Sequence, residues 1–208
     1  MLHALLIAAS LAAPPAAPAR DPSPAIPVPA SPAAGPAGEA VPLADAPPAW
    51  TSAIQRAEAA GRQFQQALQG RLAAAISQGG PPAAVDVCAT EALRIGAEVG
   101  TAAGVKLGRT SDRLRNPANS PPVWSRTFVQ LSAGEKSADV TGIAVDLGSH
   151  LGVLLPIGVK PTCLGCHGAP ASMSPKVKEA LAQRYPGDRA VGYAEGDFRG
   201  YLWVEVGK

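Results

Sequence analysis

The chain has 208 residues, a formal net charge of +2 at pH 7 and only 16% charged residues. This balance gives no strong attraction to nucleic acid or to an anionic membrane surface, and no Lys/Arg run with interleaved aromatic residues is present. The three cysteines are an odd number, so at least one sulfur has a fate other than an intramolecular disulfide.

The first 19 residues have the pattern of a secretory signal peptide. The apolar run from Ala4 to Ala13 is too short to cross a bilayer as a helix, and small residues at Ala17 and Ala19 suit cleavage. We therefore expect a periplasmic or otherwise exported protein, with no integral membrane span in the mature chain.

Residues 20–48 are predicted to be a disordered Pro/Ala-rich tether. Pro and Ala occupy 28 of the first 48 positions, and few large apolar residues follow Leu11. Repeated proline blocks helix formation, and such a composition cannot bury a core. The domain that carries the function is accordingly predicted at residues 49–208.

Two amphipathic helices are predicted at the start of this domain. The first begins after Trp50 and stops at Gly79-Gly80, and the second has Pro81 or Pro82 in its first turn. Cys88 lies on the apolar face of the second helix and is expected to point toward its packing partner. The apolar positions are Ile54, Ala57, Gly61, Phe64, Leu68, Leu72 and Ile76, then Ala84, Cys88, Ala92, Ile95 and Val99.

Periodicity changes after residue 104. A long irregular segment, with one short strand, leads to a short helix over 122–131. Alternating residues from Ile143 predict a strand, a turn at Gly148-Ser149 and a return strand over 152–159. A helix over 174–185 and a last strand, "YLWVEV", complete the chain. Helices followed by antiparallel strands predict an α+β fold with one sheet.

The stretch "PTCLGCHG" (161–168) follows the predicted hairpin and contains a CxxCH motif. In covalent haem attachment, Cys163 and Cys166 form thioethers with the two vinyl groups, and His167 is the proximal axial ligand of the iron. One covalently bound haem c is the cofactor that this pattern predicts.

Two other chemistries use a Cys-x-x-Cys pair. A redox dithiol opens a helix in a βαβ unit, which does not match a motif placed after a hairpin. A Cys3His zinc site from Cys88, Cys163, Cys166 and His167 is chemically allowed. However, two adjacent ligands are difficult to direct at one tetrahedral ion, and no second CxxC or HxxxH is present.

The iron of a haem accepts a sixth ligand, and the spacing of the residues leaves its identity open. Met173 is only six residues beyond His167, and His150 lies at a predicted turn where a solvated side chain is ordinary. Cys88 is on a core-facing stripe, where an inert buried thiol is the ordinary expectation.

Four blocks of the chain together resemble a family of single-haem c-type proteins with a PAS-like fold, the Tll-like haem domain. The blocks are "VCATEAL", "GRTSDRLRNPANSPPVW", "KPTCLGCHG" and "LAQRYPGDRAVGYAEGDFRGYLWVEV", and the resemblance covers about 50–206. It implies a PAS-like antiparallel sheet with long N-terminal helices packed on it. It also implies that His167 and Cys88 are the axial ligands. Arg109, Arg113 and Arg115 lie in the second block, where their charge suits the haem propionates.

The pattern predicts an exported haem protein that acts as a redox or gas sensor or modulator. Its partners would be a small gas or a redox partner protein. The alternative function is a periplasmic one-electron carrier, and a structural zinc domain comes after it. No kinase, helicase, hydrolase or dinucleotide-binding signature is present. A peroxidase-like enzyme, the third class, would need an acid or base residue over an open haem face, and His150 is the only histidine left for it, so an enzyme is the least favoured reading.

Overall fold

The computed structural model describes residues 38–208. Their centre is a five-stranded antiparallel sheet in the spatial order β1-β3-β4-β5-β2. The strands are β1 (Ala40–Pro42), β2 (Lys106–Thr110), β3 (Ile143–Asp146), β4 (His150–Gly158) and β5 (Phe198–Gly207). The α+β prediction with one antiparallel sheet is confirmed.

A kinked helix and its successor cover one face of the sheet. These are α1 (Thr51–Thr90) and α2 (Ala92–Ala103), and α1 breaks at Gly80, whose φ is +74°. Glycine adopts this left-handed conformation without a Cβ penalty, and the prolines that follow need no amide donor in a first turn. The predicted break between two helices is therefore present as a kink at the same place.

The main core lies between α1, α2 and the sheet. Phe64 and Leu68 of α1 pack with the strand residues Val153, Leu202 and Val204, and all five are at most 5% exposed. Burial of a side chain the size of phenylalanine contributes roughly 1.5–3 kcal/mol. The predicted apolar stripe holds from Ile54 to Leu72 but not at Ile76, which is 46% exposed, whereas the neighbouring Ala75 packs on the main core.

The opposite face of the sheet is covered by a short helix, α3 (Arg126–Leu131), and the turn before it. Val129 packs against Leu154, Phe198 and Tyr201. Trp124 lies flat over Gly152, where an added Cβ would meet its ring at 2.9 Å. Both faces of the sheet are therefore buried, so its strands are largely apolar on both sides.

The predicted tether over residues 20–48 extends too far toward the C-terminus. Its last residues include β1, which pairs with β3 in the register Ala40↔Val145 to Pro42↔Ile143. Val41 and Leu43 pack on the main core. This segment therefore buries apolar surface, although its Pro/Ala-rich composition predicts none. Proline is tolerated there because β1 is an edge strand. The predicted signal peptide (1–19) and residues 20–37 lie outside the described residues.

The segment that carries the cysteine pair follows β4 directly. It contains α4 (Leu164–His167) and leads into α5 (Pro175–Arg184). Within residues 38–208, no helix has the length and apolar character needed to cross a membrane.

Candidate functional site

The Cys-x-x-Cys-His segment forms a short turn of 3-10 helix, Pro161–Cys163, that continues into α4. Its start is fixed to the end of the sheet, because Val159 N donates to Asp197 O and Gly196 N donates to Val159 O, both at 2.9 Å. On one helical turn, residues three apart share a face. Cys163 and Cys166 therefore lie side by side, and both thiols are free.

His167 has one ring nitrogen engaged by the protein. Its Nδ1 lies 2.8 Å from the carbonyl oxygen of Ala190. A carbonyl only accepts hydrogen bonds, so Nδ1 carries the proton and the lone pair is on Nε2. Metal-binding histidines are usually fixed by a second-nitrogen contact of this kind.

The surroundings of His167 keep its imidazole neutral. Burial, followed by the positive charges of Arg115 and Arg199, lowers the pKa of His167 from 6.5 to about 2, although the bond to Ala190 opposes the shift. A neutral imidazole is the form that binds metals. The ring is thus both oriented and deprotonated as a metal ligand requires.

The loop that holds His167 comprises residues 188–193, here named the 188–193 loop. Tyr193 N donates to His167 O at 3.0 Å, and Gly192 N donates to Gly168 O at 2.7 Å. The Tyr193 ring meets the imidazole edge-on, with centroids 6.3 Å apart. Backbone and ring contacts therefore place this loop along the C-terminal end of the motif.

Arg115 joins the loop to the motif. Its Nε donates to Asp188 Oδ2 at 2.9 Å, and its Nη2 donates to Cys166 O at 2.5 Å and to Ala190 O at 3.2 Å. The side chain is only 8% exposed. These contacts use the Nε and Nη2 donors of Arg115 within the protein. Few N–H groups of its guanidinium are therefore left for the predicted contact with a propionate.

Arg109, Arg113 and Arg199 have no carboxylate within ion-pair distance in the part of the chain that is described. Arg113 stacks on the Tyr193 ring at 3.6 Å and donates to Val191 O at 3.0 Å, and Arg199 lies 5.3 Å from the same ring. Burial is the main cause that lowers the pKa of Arg109 and Arg199. A half-buried cation that has no carboxylate partner favours an anionic ligand.

Two buried hydroxyl groups near these arginines lack hydrogen-bond partners within residues 38–208: Thr110 Oγ1 and Tyr193 OH. Buried polar atoms are normally satisfied, so each orphan needs an explanation. Tyr193 has both Arg113 and Arg199 over its ring. An acceptor such as a ligand carboxylate would satisfy the tyrosine hydroxyl.

Cys88 is half-buried in the segment of α1 that follows the kink. Its neighbours Val85 and Ala89 pack in a small cluster with Cys166, Met173 and Tyr185. Burial is the main cause that raises the pKa of Cys166 and of Tyr185, which reaches about 12, and the proximity of the Cys88 sulfur adds to both shifts. The fold thus brings Cys88 to the side of the cysteine pair, about 75 residues away in sequence.

The zinc alternative finds no support in this arrangement. Among residues 38–208, no group of three or more His, Cys, Asp and Glu side chains is placed to hold one metal ion. Of the other two candidate sixth ligands, His150 is exposed at the start of β4, whereas Met173 is buried in the cluster that also contains Cys166.

The comparison with known families gives one result. The model of the Tll0287-like family matches residues 48–206, most of the chain. The chain belongs to the Tll0287-like family. The family resemblance that the four sequence blocks indicate is therefore confirmed.

The Tll0287-like fold is also present in a solved structure. The crystal structure of the cyanobacterial heme-protein Tll0287 is 21% identical, with a TM-score of 0.52, and the match covers 78% of this chain and 98% of that one. At this identity the likeness establishes the fold. No curated protein has a significant sequence match to the chain.

Several residues of the site were not assigned roles from the sequence. Asp188, Ala190, Tyr193 and Arg199 all lie in the block "LAQRYPGDRAVGYAEGDFRGYLWVEV" that carries the Tll0287-like resemblance. The available signal was a charged and aromatic set placed among glycines in an otherwise short loop. Their roles depend on a contact between that loop and the motif, which no local pattern reveals.

Proposed function

We propose that this protein is an exported single-haem c-type protein, in which Cys163 and Cys166 attach the haem and His167 is the proximal axial ligand. The observation that carries the proposal is the bond from His167 Nδ1 to Ala190 O, which leaves Nε2 as the free lone pair beside the two cysteines. The haem-protein among the family's solved structures supports the same cofactor.

The residues around the motif fit the chemistry of haem. Its two propionates are anions, and Arg109 and Arg113 belong to a cluster of cations that have no protein carboxylate at ion-pair distance in the described range. The buried Tyr193 OH, which has no partner there, is a further donor for a carboxylate. We assign propionate binding to Arg109 and Arg113, as the sequence predicts.

Cys88 is the proposed second axial ligand. It is half-buried beside Cys166, and its α1 segment packs against the motif through Val85 and Ala89. Thiolate is an established haem ligand that favours the ferric state. When bound, the haem supplies reversible one-electron chemistry and a metal position for small ligands.

Cys88 Sγ is also the atom that would act as a switch. A thiolate is stable beside a more positive metal, and protonation to the thiol is favoured when that charge falls. Release of the Cys88 side chain would leave a ligand position open, and the kink of α1 at Gly80 lies just before this segment. These features support a redox or gas sensor, with a small gas or a redox protein as partner.

The second candidate is a one-electron carrier with the same ligands. A carrier keeps both axial ligands in both oxidation states, whereas a switch does not. The test is absorption spectroscopy of the matured protein before and after dithionite, with and without carbon monoxide. Loss of one axial ligand on reduction, together with binding of carbon monoxide, would support the sensor. An unchanged ligand set with no carbon monoxide binding favours the carrier.

A further inference from the structure

The Arg115–Asp188 pair is nearly buried and lies beside the proposed proximal ligand. The exposed fractions of the two side chains are 8% and 11%. Asp188 uses both oxygens: Oδ2 accepts from Arg115 Nε at 2.9 Å, and Oδ1 accepts from Ala190 N at 2.8 Å. The arginine is therefore fixed by its aspartate, and the aspartate is fixed by the loop.

The two contacts converge on the peptide that orients the histidine. The carbonyl oxygen of Ala190 accepts from His167 Nδ1 at 2.8 Å and from Arg115 Nη2 at 3.2 Å. The same Nη2 donates to Cys166 O, the carbonyl next to His167 in the chain. The guanidinium of Arg115 thus joins the carbonyl of Cys166, which precedes His167 in the chain, to the carbonyl of Ala190, which accepts from the His167 ring.

A purely structural ion pair would not need this geometry. Buried ion pairs lose much of their Coulombic gain to desolvation, so packing alone is achieved as well by apolar residues. The planar fork of arginine, however, can hold several acceptors at fixed angles, which an apolar side chain or a lysine cannot. The backbone bond from Arg189 N to Leu114 O, at 3.0 Å, keeps the two segments in register.

We propose that Arg115, held by Asp188, is a positioning residue that fixes His167 in the Nδ1–H tautomer and directs Nε2 toward the metal. This inference rests on the proposed function. It also gives Arg115 a role that is separate from propionate binding. Because the guanidinium also donates to the Ala190 carbonyl, it holds that oxygen in place. The hydrogen bond from His167 Nδ1–H to the same oxygen therefore stays closed to solvent.

Arg199 offers a matched control. Its charge acts on His167, as that of Arg115 does, but its Nη1 donates to Arg113 O at 3.4 Å, and among the described residues it makes no hydrogen bond to Ala190. Removal of either cation disfavours electron uptake, so the midpoint potential falls in both Arg115→Met and Arg199→Met. Only Arg115→Met removes the hydrogen bonds that hold the loop.

The experiment uses full-length, haem-loaded protein as wild type, Arg115→Met, Arg115→Lys and Arg199→Met. Mass spectrometry first counts covalent haem. Proton NMR of the ferric form then measures how fast the hyperfine-shifted His167 Nδ1–H exchanges with deuterated solvent. Loss of a charge-assisted bond accelerates exchange by roughly tenfold or more. We expect this faster exchange of His167 Nδ1–H in Arg115→Met, a smaller increase of the rate in Arg115→Lys, and the wild-type rate in Arg199→Met.

Equal exchange rates in Arg115→Met and Arg199→Met would overturn the positioning role while the haem assignment stands. If Arg115→Met does not fold, Arg115→Lys and Asp188→Asn decide by the same rate, and wild-type exchange in both refutes the inference. Wild-type protein without covalent haem would instead refute the proposed function, and the positioning role with it.

Discussion

The Nδ1 atom of His167 lies 2.8 Å from the carbonyl oxygen of Ala190, 23 residues further along the chain. The contact links the motif at the end of β4 to the loop that leads into β5, two neighbouring strands of the sheet. It sets the proton on one nitrogen and exposes the lone pair of the other. The orientation of the proposed ligand His167 is therefore a property of the fold as well as of the motif.

Replacement of Cys88 tests the second axial ligand. Cys88→Ala is expected to change the ferric absorption bands and to allow carbon monoxide or imidazole to bind, because the thiolate is removed from the metal. The midpoint potential should rise, since thiolate stabilises the ferric state. Met173→Leu, in the same cluster, is the matched control and should leave the spectrum as in wild type. Unchanged bands in Cys88→Ala would exclude Cys88 from the ligand set.

Arg109→Met tests whether the arginine cluster is built for an anion. Burial lowers the pKa of Arg109, which means that its charge is destabilised without a partner. We expect the substitution to stabilise the haem-free chain by roughly 1 kcal/mol and to destabilise the haem-loaded protein by a similar amount. Urea unfolding of both forms measures this. Arg184→Met, which breaks an ion pair with Asp86 at a half-exposed site, should change both forms by less than about 0.5 kcal/mol. If Arg109→Met changed the free energy of unfolding in the same direction in the haem-free and the haem-loaded protein, the assignment of Arg109 to propionate binding would be contradicted.

The depressed pKa of His167 predicts acid sensitivity in the haem-free chain. The pKa is 6.5 in the unfolded chain and about 2 in the folded chain. Below 6.5 the unfolded state takes up a proton that the folded state refuses, so the free energy of unfolding decreases as pH falls. Between about pH 7 and pH 5 the loss is about 2 kcal/mol, before most carboxylates titrate. His167→Gln should remove this loss, whereas His150→Gln, at an exposed site, should keep it. Parallel pH profiles for wild type and His167→Gln would show that the imidazole is not held neutral.

Gly200 allows β5 to approach β2 closely. Its φ is +146°, and an added Cβ would lie 2.1 Å from Thr110 O. Gly200→Ala is therefore expected to destabilise the protein by at least about 2 kcal/mol, through both backbone strain and overlap. Chemical denaturation measures the effect. Gly207→Ala, in the same strand with open space at its Cβ, should stay within about 0.5 kcal/mol of wild type. Similar stabilities for the two variants would refute the close contact.

Local patterns account for much of the fold. The apolar spacing from Ile54 to Leu72 and the glycines at 79–80 predicted the long helix and its break, and alternation predicted β3, β4 and β5. β1 was missed because Val41 and Leu43 stand among prolines and alanines, and their partner strand begins about 100 residues later. A strand whose stability comes from distant pairing leaves a weak trace in its own composition.

The site divides in the same way. The candidate residues Cys163, Cys166 and His167 are predicted from the sequence because the CxxCH spacing lies within five consecutive residues. Arg115 shows what a motif cannot give: its block is recognisable, but its contacts with Cys166 O and Asp188 depend on the folded loops. Its charge predicted a propionate role, which stays a prediction, whereas the fold directs its Nε to Asp188 and its Nη2 to the Cys166 and Ala190 carbonyls.

The most direct test of the account is mass spectrometry of the protein matured together with the haem-attachment machinery, followed by peptide mapping. The account predicts one covalent haem, located on the peptide that contains Cys163 and Cys166, in wild type and equally in Cys88→Ala. An unmodified peptide in wild type, or zinc bound in place of the haem, would contradict it.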